Sequence, residues 1–375
     1  MKFTAVSSDL HKALSKIISV VPAKSTLPIL ENVLFELTGN DLRLTASDLE
    51  ISMTVILPVG GESDGRVAVP AKKLNETLRA LPSVDLVFIS DDASNRLTIK
   101  TDQGEYKMAG EGASNFPETE GMQEDFSLQL DTDLLKGIIA RTVYAVSTDD
   151  LRPSMMGVLF QWKGEEFFAV ATDGHRLVRI RHSGALAEAN TEGNRDVIIP
   201  SKALHIVAKS LGDGQVSVQF GRTQVRFTFN EMMLTSRIID ERYPNYESVI
   251  PLENDKQLTV SRPALIAAVQ RCSIFSNAIT NQVRFSVGKE EVRVSAEDMD
   301  FGGEAREVVR GSFSADEDLE IGFNARYISE ALQHLDSSEV NFFFSAPTRA
   351  GLIQPKDQEE DHEVLMLVMP LRLNS

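Results

Sequence analysis

Apolar residues in this chain recur with two different periods. Leu10, Ala13, Leu14, Ile17, Ile18 and Val21 fall three or four residues apart, which places them on one face of a helix. Leu204, Val207, Ala208 and Leu211 repeat that spacing, as do Leu265, Ala268, Val269 and Cys272. Elsewhere the period drops to two. Val216/Val218/Phe220 and Val225/Phe227/Phe229 predict short strands, each with one buried face. A Pro or Phe opens further helical stretches at Pro70-Ala71-Lys72, Pro200-Ser201-Lys202 and Phe323-Asn324-Ala325. The predicted class is α+β, built from two-layer units in which two helices cover a mostly antiparallel sheet.

The pattern repeats along the chain. Val33-Leu34-Phe35 returns as Val158-Leu159-Phe160 and as Val283-Arg284-Phe285, and each step between the phenylalanines is 125 residues. Asp48, Asp173 and Asp298 follow at the same spacing. The opening strands Phe3/Ala5, Leu128/Leu130 and Leu258/Val260 each lead to a leucine, at Leu10, Leu135 and Leu265. Phe116-Pro117, Tyr243-Pro244 and Met369-Pro370 stand near the end of each unit. Several landmarks in one order predict three tandem units, 1–122, 123–250 and 251–375. Their expected links are acidic, Pro117 to Asp125 and Val249 to Asp255.

Charge changes the picture twice. The 375 residues carry a formal net charge of −17, which by itself argues against a polyanionic partner. The six predicted helices, however, together carry +8, leaving −25 on everything else. Lys12 and Lys16 lie one turn apart off the apolar stripe, and Lys202, His205 and Lys209 sit similarly. Helices sharing one surface would make that surface basic on an otherwise acidic protein. No unbroken apolar run exceeds six residues, and the N-terminus lacks the apolar stretch of a signal peptide, so a cytoplasmic protein without a membrane partner is expected. The single cysteine, Cys272, excludes an internal disulfide and reads as a core residue.

Candidate chemistry is sparse. No nucleotide-binding glycine loop, HExxH or Cys/His metal spacing is present, so neither cofactor nor metal is expected. The densest polar motif is Ala171-Thr172-Asp173-Gly174-His175-Arg176-Leu177. An enzyme would use Asp173 to orient His175 as a base. The equivalents Asp48 and Asp298 lack a histidine two residues on, so the shared Asp reads as a turn residue and the other residues as a binding edge. A protein-binding scaffold is a further alternative. Val364 to Val368 predicts a final strand, and Met369 to Leu373 an apolar lip for a partner peptide.

Thr26-Leu27-Pro28-Ile29-Leu30, Leu44-Thr45-Ala46-Ser47-Asp48-Leu49-Glu50, the 170–177 segment, Arg242-Tyr243-Pro244-Asn245-Tyr246 and Met369-Pro370-Leu371-Arg372-Leu373 together resemble bacterial DNA polymerase sliding clamps, the β subunits of DNA polymerase III. The resemblance covers the whole chain. It implies a non-enzymatic processivity factor of the DNA-clamp fold, a head-to-tail homodimer whose six domains form a ring around duplex DNA, held without sequence readout. It also implies short-peptide partners: the polymerase III catalytic subunit, the clamp loader, other polymerases, ligase and mismatch-repair proteins. Their pocket maps to Arg152, Met155, Thr172, Gly174, His175, Arg176 and Leu177 on one wall. Pro244, Val249, Leu367, Met369, Pro370, Leu371 and Arg372 form the other. Lys24, Lys72 and Lys73 match DNA-contacting positions, and Lys202 joins them from the basic helix row. At the DNA-facing rim Pro153 and Ser154 replace two aromatics and Asp149 a neutral residue. Tyr106 and Met108 would meet Ile274 and Phe275 across the dimer contact. Ser248 stands where a basic residue often flanks the pocket, and Asn374-Ser375 extend past the family's usual end.

Overall fold

A computed structural model describes residues 1–91, 93–118, 121–184, 186, 195–298 and 302–373. Asn374 and Ser375 lie outside the described residues, as do Thr119 and Glu120 of the first acidic link. Six α-helices occur among the described residues: α1 (Ser7–Ile17), α2 (Ala71–Ala80), α3 (Thr132–Thr142), α4 (Ser201–Ser210), α5 (Arg262–Ser273) and α6 (Ala325–Gln333). Each follows a strand directly, so the chain reverses from period two to period 3.6 within one residue. α1 buries Leu10, Ala13, Leu14 and Ile17 and leaves Lys12 and Lys16 exposed, as its stripe predicts. α5 carries Pro263 in its first turn, where no intrahelical N–H is needed. α6 is capped by the Asn324 side chain, which accepts from Arg326 N at 2.9 Å.

The described residues form two compact units, 1–135 with 202–238 and 136–201 with 239–375. In the first, a five-stranded sheet runs in the order Gly60–Ser63, Lys2–Val6, Asp85–Asp91, Arg96–Lys100, Glu105–Ala109. An eight-stranded sheet runs Glu124–Asp131, Gln215–Gly221, Gln224–Phe229, Met232–Arg237, Ile51–Pro58, Asp41–Ser47, Asn32–Thr38, Gly65–Pro70. The second unit holds one twelve-stranded sheet. Its order is Arg195–Pro200, Gly157–Lys163, Glu166–Thr172, Arg176–Ser183, His362–Val368, Gly351–Pro355, then Glu339–Phe344, Lys256–Ser261, Gly303–Phe313, Glu291–Asp298, Gln282–Val287, Leu319–Asn324.

The sheets therefore run on across the limits that the repeat predicts. Met232–Arg237 pairs with Ile51–Pro58, and His362–Val368 with Arg176–Ser183. A bare strand edge leaves a row of unpaired backbone N–H and C=O groups, and joining repeats edge to edge satisfies them. The landmark phenylalanines anchor the cores: Phe35, Phe160 and Phe285 are all buried, and Phe88 stacks between Phe3 and Phe35 at 4.6 and 5.1 Å between ring centroids.

Candidate partner-peptide site

Two of the shared aspartates, Asp48 and Asp173, build one kind of turn. Asp48 Oδ1 accepts from the Glu50 and Ile51 N–H groups at 3.0 and 2.7 Å. Asp173 Oδ1 accepts from the His175 and Arg176 N–H groups at 2.9 and 3.0 Å. The residue after each Asp takes positive φ, +78° at Leu49 and +90° at Gly174. Glycine adopts that conformation freely; a leucine there bears about 1–2 kcal/mol of strain. Asp173 Oδ2 takes the Arg176 Nε–H, so its carboxylate does not orient the His175 imidazole, whose ring instead lies parallel to Tyr327. The catalytic dyad considered from sequence is not assembled.

The bare Cα of Gly174 lets two side chains close over the turn. A Cβ there would stand 3.0 Å from Arg152 Nη1 and 3.7 Å from Met155 Cε. Arg152 donates to Asp173 O at 3.3 Å and to Asp149 at 2.8 Å. Asp149 thus faces its own arginine, and bonds from Leu151 N–H and Arg152 hold its carboxyl below the ordinary value. Thr172 Oγ1 donates to Arg176 O at 2.7 Å and accepts from Gly174 N–H at 3.1 Å, locking the strand end.

Leu177 pairs directly with Leu367, and both join Val170, Tyr243, Tyr246 and Leu352 in one apolar cluster. Tyr243 is buried and its hydroxyl donates to Val170 O at 3.3 Å, which leaves the adjoining Pro244 exposed. Val249, in the 3₁₀ turn Tyr246–Val249, is 53% exposed. The strand ends at Val368, and the tail passes from one strand to another: Met369 N–H donates to His175 O, next to Arg176–Ser183, and Leu371 N–H to Gly322 O in Leu319–Asn324, both at 2.8 Å. Met369 is 42% exposed, Pro370 and Leu371 are half-buried, and Arg372 is exposed. The apolar floor, the exposed Met369, Pro244 and Val249, and the polar Thr172, Gly174 and His175 edge therefore occur in one unit.

Arg176 has a different surrounding. Its guanidinium reaches Asp173, Glu330 and, at 2.6 Å, the Tyr144 carbonyl, and lies over the Tyr144 and Tyr327 rings at 5.1 and 4.7 Å. Burial raises the Glu330 carboxyl, but hydrogen bonds from Arg176 and Arg326 outweigh it and hold the group below its ordinary value. Burial also pushes the Tyr144 hydroxyl well above its usual range. Sequence reasoning missed Tyr144, Tyr327 and Glu330, because no local pattern ties them to a residue so far along the chain.

The first internal junction supplies a comparison. Ser52 stands opposite Thr235 where Leu177 stands opposite Leu367. Around that polar pair lies a cavity of about 290 Å³, lined by Ser47, Leu49, Glu50, Pro117 and Arg237 among others. The same backbone pairing thus carries an apolar surface at one junction and a polar cavity at the other.

Of the basic candidates, Lys24, Lys72 and Lys73 are exposed, whereas Lys202 is paired with Asp48. Pro153 is exposed and Ser154 half-buried in the 3₁₀ turn Pro153–Met156. Tyr106 is 38%, Ile274 77% and Phe275 44% exposed, while Met108 is buried. Cys272 is buried in α5, as expected. No described helix is long and apolar enough to cross a membrane.

Two histidines missed by sequence face each other across the second junction. His182 stands opposite His362 with stacked rings 4.3 Å apart. Burial lowers His182 to about 4, with repulsion from His362 and Arg141 adding to it; burial and Arg141 lower His362. The unfolded chain binds these protons first, so stability is full above about pH 6.5 and falls as pH drops toward 4. Thermal melts across that window should show a declining midpoint, and a His182→Gln, His362→Gln variant should flatten the decline. An unchanged slope in the variant would refute the assignment.

Three family models match along the chain: the DNA polymerase III beta subunit N-terminal domain over residues 1–120, the central domain over 129–245 and the C-terminal domain over 247–372. The beta sliding clamp of Vibrio cholerae is 30% identical, with all of both chains covered. Among solved structures, a sliding clamp from Pseudomonas aeruginosa is 29% identical with a TM-score of 0.91, and one from Bartonella birtlesii bound to griselimycin is 30% identical with a TM-score of 0.93; both comparisons cover all of each chain. With a turn, edge and tail of one design at the junction and three matched domains in tandem, this chain belongs to the DNA polymerase III β-subunit family, the bacterial sliding clamps.

Proposed function

We propose that the chain is a non-catalytic processivity clamp, acting in the cytoplasm as a head-to-tail dimer that encircles duplex DNA and tethers polymerases to it. The observation that carries this reading is a pair of open strand edges. Each internal junction joins the last strand of one repeat to the strand after the Asp turn of the preceding repeat. Two such partners are left over: Glu105–Ala109, the last strand of the first repeat, and Gly303–Phe313 of the third, whose 303–310 stretch pairs on one side only among the described residues. Surfaces of opposite kind on one chain make a heterologous contact, and a second copy can close it into a ring.

The three repeats, with limits near 1–122, 123–250 and 251–375, would then supply six domains to that ring. Lys24, Lys72, Lys73, Lys12 and Lys16 would attract phosphate without reading sequence, which permits sliding. Lys202 would join them only by exchanging Asp48 for a phosphate, and Pro153 and Ser154 offer a weaker rim contact than aromatics. Asp149, neutralised by Arg152, repels DNA less than its charge alone implies.

The apolar junction between the central and third repeats would receive short Gln/Leu/Phe-type peptides of polymerases, the clamp loader, ligase and mismatch-repair proteins. Leu177, Leu367, Met369, Met155, Pro244, Val249, Pro370 and Leu371 form the apolar seat. Thr172, Gly174, His175, Arg152 and Arg372 supply polar orientation, and Arg176 positions the wall from behind. The corresponding polar junction lacks such a seat.

Loading the protein onto nicked circular DNA with a clamp loader and then linearising the circle tests the ring. Protein should be lost from the linear DNA by sliding off its ends. Retention on the linear form at moderate salt would overturn topological binding.

A further inference from the structure

The two internal junctions are joined in a single register, and that register fixes how two copies meet. In the central repeat, partners run from Leu128 to Val218, Phe227 and Leu234, and Leu234 faces Met53 of the first repeat. In the third repeat, Leu258 leads through Phe342 and Ile353 to Met366, which faces Val178 of the central repeat. The same path in the first repeat runs Phe3, Phe88, Ile99, Tyr106 and stops at the open edge.

The receiving positions are fixed from the landmark phenylalanines. Phe35 leads through Leu44 to Val55, two residues beyond Met53. Phe160 leads through Ala169 to Ile180, two beyond Val178. Phe285 leads through Val294 to Glu307, and two residues back lies Ala305.

We propose that two copies of this chain join with Tyr106 of one opposite Ala305 of the other, so that Glu105 meets Arg306 and Lys107 meets Glu304. This rests on the ring reading above and names the contacts that close it. The register came from backbone pairings alone, yet both outward-facing pairs it creates are of opposite charge. Displacing it by two residues sets Glu105 against Glu304, or Lys107 against Arg306, and displacing it by one turns every side chain to the wrong face. On the inward face the bulky Tyr106 meets the small Ala305, and Met108 meets Gly303. A Cβ on Gly303 would stand 3.6 Å from Phe275, which brings Phe275 beside Met108.

In the single chain these charges are paired along their own strands, Glu105 with Lys107 at 3.1 Å and Glu304 with Arg306. Their side chains are 44–67% exposed, so they exchange partners at little expense. On assembly the four would form a square of alternating sign.

The test combines charge reversal with cross-linking. Lys107→Glu and Glu304→Lys should each raise the dimer dissociation constant in sedimentation about tenfold, since each acts at both contacts of a closed dimer. The two together should return it close to the original value. Glu105→Cys with Arg306→Cys should give a disulfide-linked dimer on mild oxidation, and Glu105→Cys with Glu304→Cys should not; the one native cysteine, Cys272, is buried. If the unaltered protein is dimeric but the shifted cysteine pair links instead, or the double reversal stays as weak as the single ones, the register is wrong. An unaltered protein that remains monomeric at every concentration overturns the ring itself.

Discussion

Arg176→Ala is expected to lower the unfolding free energy of the second unit by about 3–5 kcal/mol, the usual loss when one member of a buried ion pair is removed. The arginine is 9% exposed, and its partners Asp173 and Glu330 keep only 15% and 25% of their side chains exposed. Without the guanidinium two carboxylates remain in a site that water reaches poorly, the Tyr144 carbonyl loses its donor, and two ring faces lose their cation. Water reaching Glu330 softens the penalty toward the lower end of that range. Lysine would not rescue it, since an ammonium cannot bond Asp173, Glu330 and a carbonyl in one plane. Adding Glu330→Gln to Arg176→Ala should recover part of the loss, because Glu330 then keeps only the exposed Arg326 as a cationic partner and the amide removes its charge. Urea unfolding measures both variants. A loss below about 1 kcal/mol would show that the network contributes little net stability.

That network marks where sequence reading stops. The period-3.6 stripes identified α1, α4 and α5, and the repeat of Phe35, Phe160 and Phe285 identified three equivalent core positions, because each signal lies within a few residues or at a fixed step. The turn role of Asp48 and Asp173 was legible for the same reason: a side chain bonding the N–H groups two and three residues on is local chemistry. Strand partners are not local. Nothing in Met232–Arg237 specifies Ile51–Pro58 as its neighbour, since many alternating segments could pair with it. The partners of Arg176 and of Lys202 were hidden likewise; Lys202 reads as a free basic residue until the fold sets Asp48 beside it. The polar edge beside Asp173 and the apolar lip from Met369 to Leu373 were legible in the residues themselves, the rest of the site only through motif resemblance, and only the fold separates Arg176, which faces inward, from Leu177, which joins the apolar floor.

Deleting residues 369–375 is expected to weaken binding of a Gln/Leu/Phe-type peptide by at least about thirtyfold, the loss of a hot spot of 2 kcal/mol or more. The final strand, His362–Val368, ends where the deletion begins, so its pairing with Arg176–Ser183 is untouched and the apolar floor around Leu177 and Leu367 keeps its support. What is removed is the wall: Met369, held through His175 O, and Leu371, held through Gly322 O. A peptide's apolar side chain would then meet a floor open to water on one side, and desolvation there drives less binding. The dimer should persist, because Tyr106, Met108, Ile274 and Phe275 all lie outside the deleted segment. Anisotropy of a labelled peptide and sedimentation of the same sample separate the two effects. Loss of the dimer together with the peptide would show that the tail holds the third repeat together rather than receiving partners, while an unchanged peptide affinity would move the binding site elsewhere.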